Sequence, residues 1–472
     1  MKQWGRYSWS LFVISAGLLV ASCNNSDATS SAVLTTNAPP PTATGPIVPK
    51  LSGNVPTEVT GASPTKTPEE NRPFFDQFSW QSFIALCWPT NTSKRGVPAN
   101  PNDPAMLLTM KNTTPIVWVS YKNQWDLFAQ GNNRPSPWNS FDDPINPCPS
   151  AHSMTHVFGL AKGATLPNGK GLTGDIDEAF SVPLVDQQKN YALYEIRYNQ
   201  PQYDFIRGSD SDPTTWIYLK KNLMTQEMKG GGTVTMPISN TTTPGAMLIK
   251  AAWKVITAVD DPSRYYIIDE PVFDPVSGKC IKMKLGLVGL HIAQKVDGFS
   301  EWIWSSFEQV DNVPGAPNAR APYSFNNGTS TPKTDRGYAN KPTGTGALPV
   351  SQRVPVQVTR FNPIPTTPKG LSTVDLNALY QKAVGNAWLK YYELVITQWP
   401  TDDTSFKLYG SGGGIYPKDC GVAFPVDGCA NTSMETYFQS KLDASTFGNS
   451  CMSCHYQAPG TDFSWSLQNR SH

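Results

Sequence analysis

Three residues near the end of the chain have the types and spacing of a cofactor-attachment sequence. Cys451, Cys454 and His455 form the pattern C-x-x-C-H, which is the attachment site of a c-type haem. The two thiols are spaced to bond to the two vinyl groups of one haem, and the adjacent imidazole meets the iron from the same side. We therefore predict one covalent haem c, with His455 as the proximal iron ligand.

A C-x-x-C pair also occurs in zinc sites and in redox proteins, and both alternatives stay open at this stage. The chain contains only 8 cysteines, so a chance match is less expected than in a cysteine-rich protein.

The start of the sequence indicates export. Two basic residues, Lys2 and Arg6, precede the apolar run 11–20, and small residues then lead to Cys23. This order is typical of a bacterial lipoprotein signal. We predict a signal peptide over 1–22 and lipidation of the Cys23 thiol. The alternative, a transmembrane helix, is disfavoured because the apolar run is shorter than the roughly 18 residues that a span needs.

The two ends agree on location, because bacteria attach haem c to exported chains. We expect the protein on the periplasmic side of a bacterial membrane, held by its lipid anchor alone. Asn24 rather than Asp follows Cys23, which favours the outer membrane in a Gram-negative host.

The charge balance excludes a strong electrostatic partner. The chain has 38 basic and 37 acidic side chains and a formal net charge of +1. No nucleic-acid binding is expected from this balance. The 42 Pro, 36 Gly and 14 Trp predict a packed body with long loops.

The composition divides the chain into four parts. After the signal peptide, residues 23–72 are rich in Ser, Thr and Pro and predict a disordered tether. A mixed body follows over 73–410, and 411–472 forms a C-terminal haem segment packed on it.

Hydrophobic patterns within the body predict an α+β fold, with a central antiparallel sheet, flanking helices, long loops and a helical haem-attachment segment. Strands are predicted over 191–198, 247–256, 264–268, 280–292 and 302–307, with a hairpin turn at 274–278. Helices are predicted over 73–86, 373–395 and 434–442.

The remaining cysteines suit an oxidising compartment. Cys420 and Cys429 are close in sequence and predict a disulfide that closes a small loop. A disulfide between Cys87 and Cys148 also stays open. We expect Cys280 to be a buried free thiol.

Four segments go beyond haem attachment and resemble an uncharacterised family of large bacterial c-type cytochrome-like proteins with one C-terminal C-x-x-C-H motif. The segments are 80–89, 286–292, 302–312 and 397–400. The resemblance covers about residues 73–460. It implies that the hairpin around His291 belongs to the same unit as the haem, but it supplies no reaction.

The sixth position on the iron decides the chemistry. No Met follows His455 and the only later His is His472, so a distal ligand has to come from earlier in the chain. His291 is the best candidate, because it ends an apolar strand and shares a face with Leu285 and Leu287 by period two. Other candidates are His152, Met154, His156 and Met434, and a structural role for His291 also stays open.

Two main functions follow from that ligand. A filled sixth position predicts single-electron transfer to a redox partner protein, and we favour this electron carrier over a catalyst. An open position predicts a peroxidase-like or oxygenase-like enzyme with an acid–base pair, for which His291 and Glu308 are candidates. A gas sensor, redox sensor or scaffold is a further alternative. Arg353 and Arg360 are candidates for pairing with the haem propionates, because a guanidinium matches a carboxylate.

The anchor can be tested by replacing the lipidated cysteine. Cys23→Ser should release the protein into the soluble periplasmic fraction, because the predicted tether has no apolar surface that would hold it on a bilayer. Ser22→Ala is the matched control and should stay with the membrane, since it keeps a small residue before the cysteine. A Cys23→Ser protein that sediments fully with membranes would contradict the lipoprotein prediction.

Overall fold

The computed structural model describes residues 47–128, 134–140, 148, 158–159, 164–165, 171–172, 175–176, 182–230, 232–274, 277–299, 301–328, 337–344, 348–401, 423–425, 428–439, 450–455 and 458–471. The helices are α1 Pro68–Leu86, α2 Ala105–Leu108, α3 Gln124–Phe128, α4 Gln200–Arg207, α5 Lys220–Lys229, α6 Thr373–Ala383, α7 Cys451–His455 and α8 Trp465–Arg470.

The strands are β1 Lys122–Asn123, β2 Phe158–Gly159, β3 Ala164–Thr165, β4 Gly171–Leu172, β5 Leu193–Tyr198, β6 Met247–Val255, β7 Ile267–Asp274, β8 Lys279–Lys295, β9 Trp302–Gln309, β10 Tyr338–Ala339, β11 Gln357–Val358, β12 Tyr392–Pro400 and β13 Ala423–Phe424.

One large, mainly antiparallel sheet forms the centre of the α+β fold. Its order is β1-β5-β6-β8-β9-β12-β13, and β7 pairs with the first part of β8. The predicted strands 191–198, 247–256 and 302–307 and the hairpin around 274–278 are all present. The strands form because their β-branched and aromatic residues suit a pleated, buried surface.

Helices α1 and α6 cover one face of the central strands. Thr67 caps α1 through a capping box with Glu70, and Ser372 caps α6 in the same way with Asp375. The Trp80 indole stacks on Tyr380 with centroids 5.3 Å apart and donates to Asn377 at 2.9 Å. These contacts join the two helices into one layer.

The C-terminal segment covers the other face of the sheet. Successive side chains of a strand point to opposite faces, so different residues line the two faces. On β9, Phe307 stacks on Phe83 of α1. The neighbouring Trp304 and Ser306 instead contact Met452 and Asn431 of the later chain. Alternate residues of the same strands therefore pack on the helices at one face of the sheet and on the C-terminal segment at the other face.

The predicted helix 373–395 is wrong in its second half. Helix α6 ends at Ala383, Gly385 follows with a φ of +62°, and Tyr392–Pro400 is a fully buried strand between β9 and β13. A strand buried on both faces carries a continuous apolar run, which periodicity alone does not separate from a buried helix. The predicted helix 434–442 is a short 3₁₀ turn over Thr436–Phe438, and 440–442 lie outside the described residues.

The predicted tether 23–72 is wrong over its last residues. Helix α1 begins at Pro68, and Ser52 is buried and donates to the carbonyl of Pro101 at 3.1 Å. Residues 1–46 lie outside the described part of the chain.

The cysteine pairing also differs from the expectation. Cys280 is exposed at the start of β8 and forms a disulfide with Cys148 across a sequence separation of 132 residues. Cys87 is buried in the main core instead of bonding to Cys148. The strand register of the long hairpin places Cys280 near the end of the sheet. The local sequence does not indicate this register.

A buried carboxyl group connects α1, α6 and β12. Asp76 accepts hydrogen bonds from Thr373 at 2.6 Å and from Thr397 at 2.7 Å. Burial raises the pKa of Asp76 to about 6, although both hydroxyl groups oppose the shift. The folded chain therefore binds more protons than the unfolded chain between about pH 4 and pH 6.

The pKa of Asp76 predicts a pH-dependent stability. Its contribution to the free energy of unfolding should fall as pH rises from about 4 to 6, by on the order of 3 kcal/mol, and stay constant above. Asp76→Asn should remove that part of the slope in urea unfolding. The exposed Asp269→Asn is the control and should follow the wild-type curve. Parallel pH curves for Asp76→Asn and wild type would contradict the buried, raised-pKa assignment.

Candidate functional site

Helix α7, which carries the C-x-x-C-H sequence, is held on the sheet by two strands. The Gln398 side chain of β12 donates to Ser450 at 2.7 Å and accepts from the backbone N–H of Met452 at 2.8 Å. The indole N–H of Trp304 on β9 contacts the buried Met452 sulfur at 2.9 Å. The start of the motif is therefore positioned by the sheet.

The imidazole of His455 has a defined orientation. Its Nδ1 lies 2.7 Å from the carbonyl oxygen of Phe463, and its ring centroid lies 4.2 Å from that of Trp304. A carbonyl only accepts, so Nδ1 carries the proton and Nε2 keeps its lone pair. Burial lowers the pKa of His455 to about 4, although the carbonyl opposes the shift. The ring is thus a neutral imidazole whose Nε2 keeps its lone pair.

A tight turn presents the Phe463 carbonyl to His455. Asp462 and Phe463 both have left-handed backbones, with φ of +51° and +61°, which is costly for residues other than glycine. Buried partners hold the turn: the Asp462 carboxylate lies 3.2 Å from Lys295, and its carbonyl accepts from the Trp302 indole at 2.8 Å. The buried ion pair therefore fixes the adjacent residue Phe463, whose carbonyl oxygen orients His455.

A β-bulge brings His291 to the face that α7 covers. Between β6 and β8, Ala252 pairs with Gly289 while Trp253 pairs with Leu287, so Val288 is an extra residue. A bulge of this kind shifts the alternation of side chains. Leu287 consequently packs in the main core, while His291 lies on the opposite face. The expectation that His291 shares a face with Leu285 and Leu287 is wrong for this reason.

His291 lies beside charged groups that also act on the motif. Its Nε2 is 3.2 Å from a carboxylate oxygen of Glu435, so the two side chains interact electrostatically. Burial would raise the pKa of Glu435, but His291 and Lys250 bring it below its ordinary value. Lys250 pairs with His291 across the sheet and, like Glu435, affects the pKa of His455. His291 is therefore within electrostatic reach of the His455 imidazole.

The two motif thiols face different surroundings. Burial raises the pKa of Cys454, with Glu435 adding to the rise and Lys250 and the Trp465 indole opposing it. Cys451 packs instead against a cluster of Val395, Ile396 and Cys429. A hydrogen bond with the Cys429 thiol, together with burial, raises the pKa of Cys451 well above its ordinary value.

The two candidate arginines have other partners. Arg353 lies over the Tyr191 ring at 4.0 Å and donates to the carbonyl of Leu348 at 2.8 Å. Arg360 forms a buried ion pair with Glu308 and a longer one, at 3.5 Å, with Glu393. Within the described part of the chain, neither of them contacts α7.

Glu308 is not the carboxylate beside His291. It accepts from both the backbone N–H and the hydroxyl of Thr432, at 3.0 and 2.9 Å, and pairs with Arg360. The expected pair of His291 with Glu308 is therefore wrong, and Glu435 occupies that place.

Met434, a weaker distal candidate, is packed elsewhere. Its side chain is fully buried in a cluster with Val288 and Tyr437. A Cβ on Gly289 would lie 3.3 Å from the Met434 sulfur and 2.3 Å from the Ser433 hydroxyl oxygen. Glycine at position 289 is thus required for the close approach of the segment before the motif.

Several predicted residues lie outside the described part of the chain. They are Cys23, the Cys420 partner of the predicted disulfide, and the candidate ligands His152, Met154, His156 and His472.

Sequence reasoning missed the residues that orient the motif. Phe463 acts through its backbone carbonyl, which no side-chain pattern reveals. Lys250 had a local signal, because it interrupts the apolar strand Met247–Val255. Glu435 had no local signal, since its partner His291 lies 144 residues earlier in the chain (435 − 291).

No family model matches the chain, and comparisons with curated proteins and with solved structures find no match. None of the helices among the described residues has both the length and the hydropathy needed to cross a bilayer.

The donor set fits a haem attached at Cys451 and Cys454. Both thiols lie on the single turn of α7, and Nε2 of His455 is left with its lone pair by the Phe463 contact. A hydrogen bond from the second ring nitrogen to a backbone carbonyl is the usual support for a metal-ligating histidine.

The support for His455 can be tested through Asp462. Asp462→Asn should lower the free energy of unfolding by about 3 kcal/mol, because it leaves the buried Lys295 ammonium without its counter-charge. Urea unfolding measures this. Asp210→Asn is the control: its side chain is 76% exposed and pairs with Arg207 at the surface, so the change should stay below about 1 kcal/mol. Equal, small effects of both variants would contradict the role of the ion pair.

Proposed function

We propose that this protein is an exported, lipid-anchored c-type cytochrome with one haem, and that it passes single electrons to a redox partner protein. The observation that carries the proposal is the geometry of His455. Its Nδ1 is engaged by Phe463 and its Nε2 is available, on the same helical turn as the two thiols.

Cys451 and Cys454 would hold the haem through thioether bonds, and His455 would be its proximal ligand. When bound, a haem with two protein ligands supplies one-electron redox chemistry at its iron.

The side chains around the motif support electron transfer by shaping its surroundings. Met452, Trp304 and Phe463 are all buried and limit the access of water to the imidazole. The hydrogen bond to the Phe463 carbonyl increases the basicity of the imidazole, which favours the ferric state. The protein would thus set the reduction potential through burial and this one hydrogen bond.

The anchor and location are part of the same proposal. A lipid on Cys23 would tie the chain to the periplasmic side of a bacterial membrane, in the outer membrane of a Gram-negative host. The sequence of residues 1–24 supports this part.

The covalent attachment has a direct test. The mature chain from a host that matures c-type cytochromes should keep a haem stain on a denaturing gel. Cys451→Ala with Cys454→Ala should abolish it, because both thioether bonds are lost. Cys87→Ala is the control, since Cys87 is a buried thiol in the main core and not part of the motif. A stain that persists in the double variant would contradict the assignment.

In the proposed electron carrier, His291 would be the second protein ligand of the haem iron. It lies on the sheet face that α7 covers, and it influences the pKa of His455. A second function is favoured by another observation at the same residue. His291 beside Glu435 and Lys250 is an acid–base group of the kind that an open-site haem enzyme uses on peroxide or oxygen.

Spectra of variants at this position separate the two functions. The electron carrier predicts a low-spin ferric wild type. His291→Ala should then shift the ferric spectrum toward high spin and let carbon monoxide bind the reduced form. Glu435→Gln is the matched control and should remain low spin, because it keeps the imidazole. Unchanged spectra in His291→Ala would exclude it as a ligand, and a high-spin wild type would favour the open-site enzyme.

A further inference from the structure

Cys429 lies against the first thiol of the motif. It is buried, 3% exposed, in a small cluster with Val395 and Ile396, and Cys451 packs on that cluster. The side chain of Cys451 therefore lies against the cluster that contains the Cys429 thiol. A third cysteine in contact with a haem-attachment cysteine is not needed for haem attachment, so it calls for a separate explanation.

The contact between the thiols is fixed by one side chain of the sheet. Gln398 donates to the carbonyl of Pro425 at 2.5 Å and to the Ser450 hydroxyl at 2.7 Å, and accepts from the N–H of Met452 at 2.8 Å. The Cys429 thiol is itself 4.0 Å from the Pro425 carbonyl oxygen. Gln398 therefore clamps the segment before Cys429 and the start of α7 to the same point of β12.

The surroundings of the two motif thiols make Cys429 the better partner for Cys451. The Cys451 side chain faces the cluster that contains Cys429, whereas Cys454 interacts with Trp465, Lys250 and Glu435. A bond between Cys429 and Cys451 joins Cys451 to a member of the cluster on which it already packs.

We propose that Cys429 and Cys451 form a disulfide in the haem-free exported chain, and that this bond withholds Cys451 from haem attachment until it is reduced. The bond itself depends on the observed contact. Its consequence for attachment rests on the proposed cytochrome function.

The chemistry is ordinary thiol–disulfide exchange with a disulfide-donating oxidant. The thiolate of one cysteine attacks the donor disulfide, and a mixed disulfide forms as the first donor thiolate leaves. The second cysteine then attacks the mixed disulfide, forms the Cys429–Cys451 bond and releases the second donor thiolate. The two protein thiol protons go to the donor, which ends as a dithiol, so two electrons pass to it. A dithiol reductant reverses both steps and restores Cys451.

Trypsin distinguishes this pairing from the two that compete with it. Cleavage after Lys418, Lys441 and Arg470 gives one peptide, 419–441, with Cys420 and Cys429, and another, 442–470, with Cys451 and Cys454. The proposed bond links the two peptides. A Cys420–Cys429 bond or a Cys451–Cys454 bond stays within one peptide.

The experiment uses the haem-free chain from residue 23, with Cys23→Ser, purified under reducing conditions. The chain is oxidised with glutathione disulfide, blocked with iodoacetamide and digested without reduction for mass spectrometry. The linked pair 419–441 with 442–470 should dominate. It should vanish in Cys429→Ser and in Cys451→Ser but persist in Cys420→Ser and Cys454→Ser, which are the matched controls. Intrapeptide bonds or no bond in the parent chain would overturn the proposal, as would persistence in Cys429→Ser.

A second measurement tests the consequence for Cys451. Oxidation should lower the rate of Cys451 alkylation about tenfold in the parent chain and less than about twofold in Cys429→Ser. Equal protection of Cys451 in both chains would overturn the proposal. Because neither measurement uses haem, a chain that fails to bind haem but forms the bond defeats the proposed function alone. A haem-stained chain without the bond defeats this inference alone.

Discussion

Buried polar side chains on one face of the central strands require partners, and the C-terminal segment supplies them. Gln398 bonds to Ser450 and Met452, Trp302 and Lys295 to Asp462, and Glu308 to Thr432. A buried ammonium without its counter-charge costs several kcal/mol. The segment is therefore held in one position over the sheet, and the orientation of His455 follows from it. The opposite face, packed on α1 and α6, keeps these strands rigid enough to aim the side chains.

The sequence predicted the parts of the fold that depend on local pattern. The strands 191–198, 247–256 and 302–307 were predicted because alternation and β-branched residues are local properties. The pattern predicts a helix where strand β12 lies, because Tyr392–Pro400 is buried on both faces and has no alternation to detect. The Cys148–Cys280 bond depends on pairing over 132 residues, which no local pattern encodes.

The candidate site, like the fold, has one part that the local sequence reveals and another part that depends on tertiary packing. The motif of Cys451, Cys454 and His455 is contiguous, so the sequence alone identified it. The sequence places His291 on the correct strand but on the wrong face of the sheet. The alternation of residues does not reveal the bulge at Val288, which shifts the side chains after it. Glu435 and the Phe463 carbonyl reach the motif through tertiary packing, and a backbone oxygen leaves no trace in composition. The structure thus adds the orientation and the electrostatics to a motif that the sequence already contained.

The central claim is that one haem is bonded to the two cysteines of α7. The most direct measurement is mass spectrometry of the tryptic peptide 442–470 from protein made in a host that matures c-type cytochromes. The account predicts a peptide that carries one haem through two thioether bonds, with neither Cys451 nor Cys454 open to alkylation. A peptide of unmodified mass, with both cysteines alkylated, would contradict it.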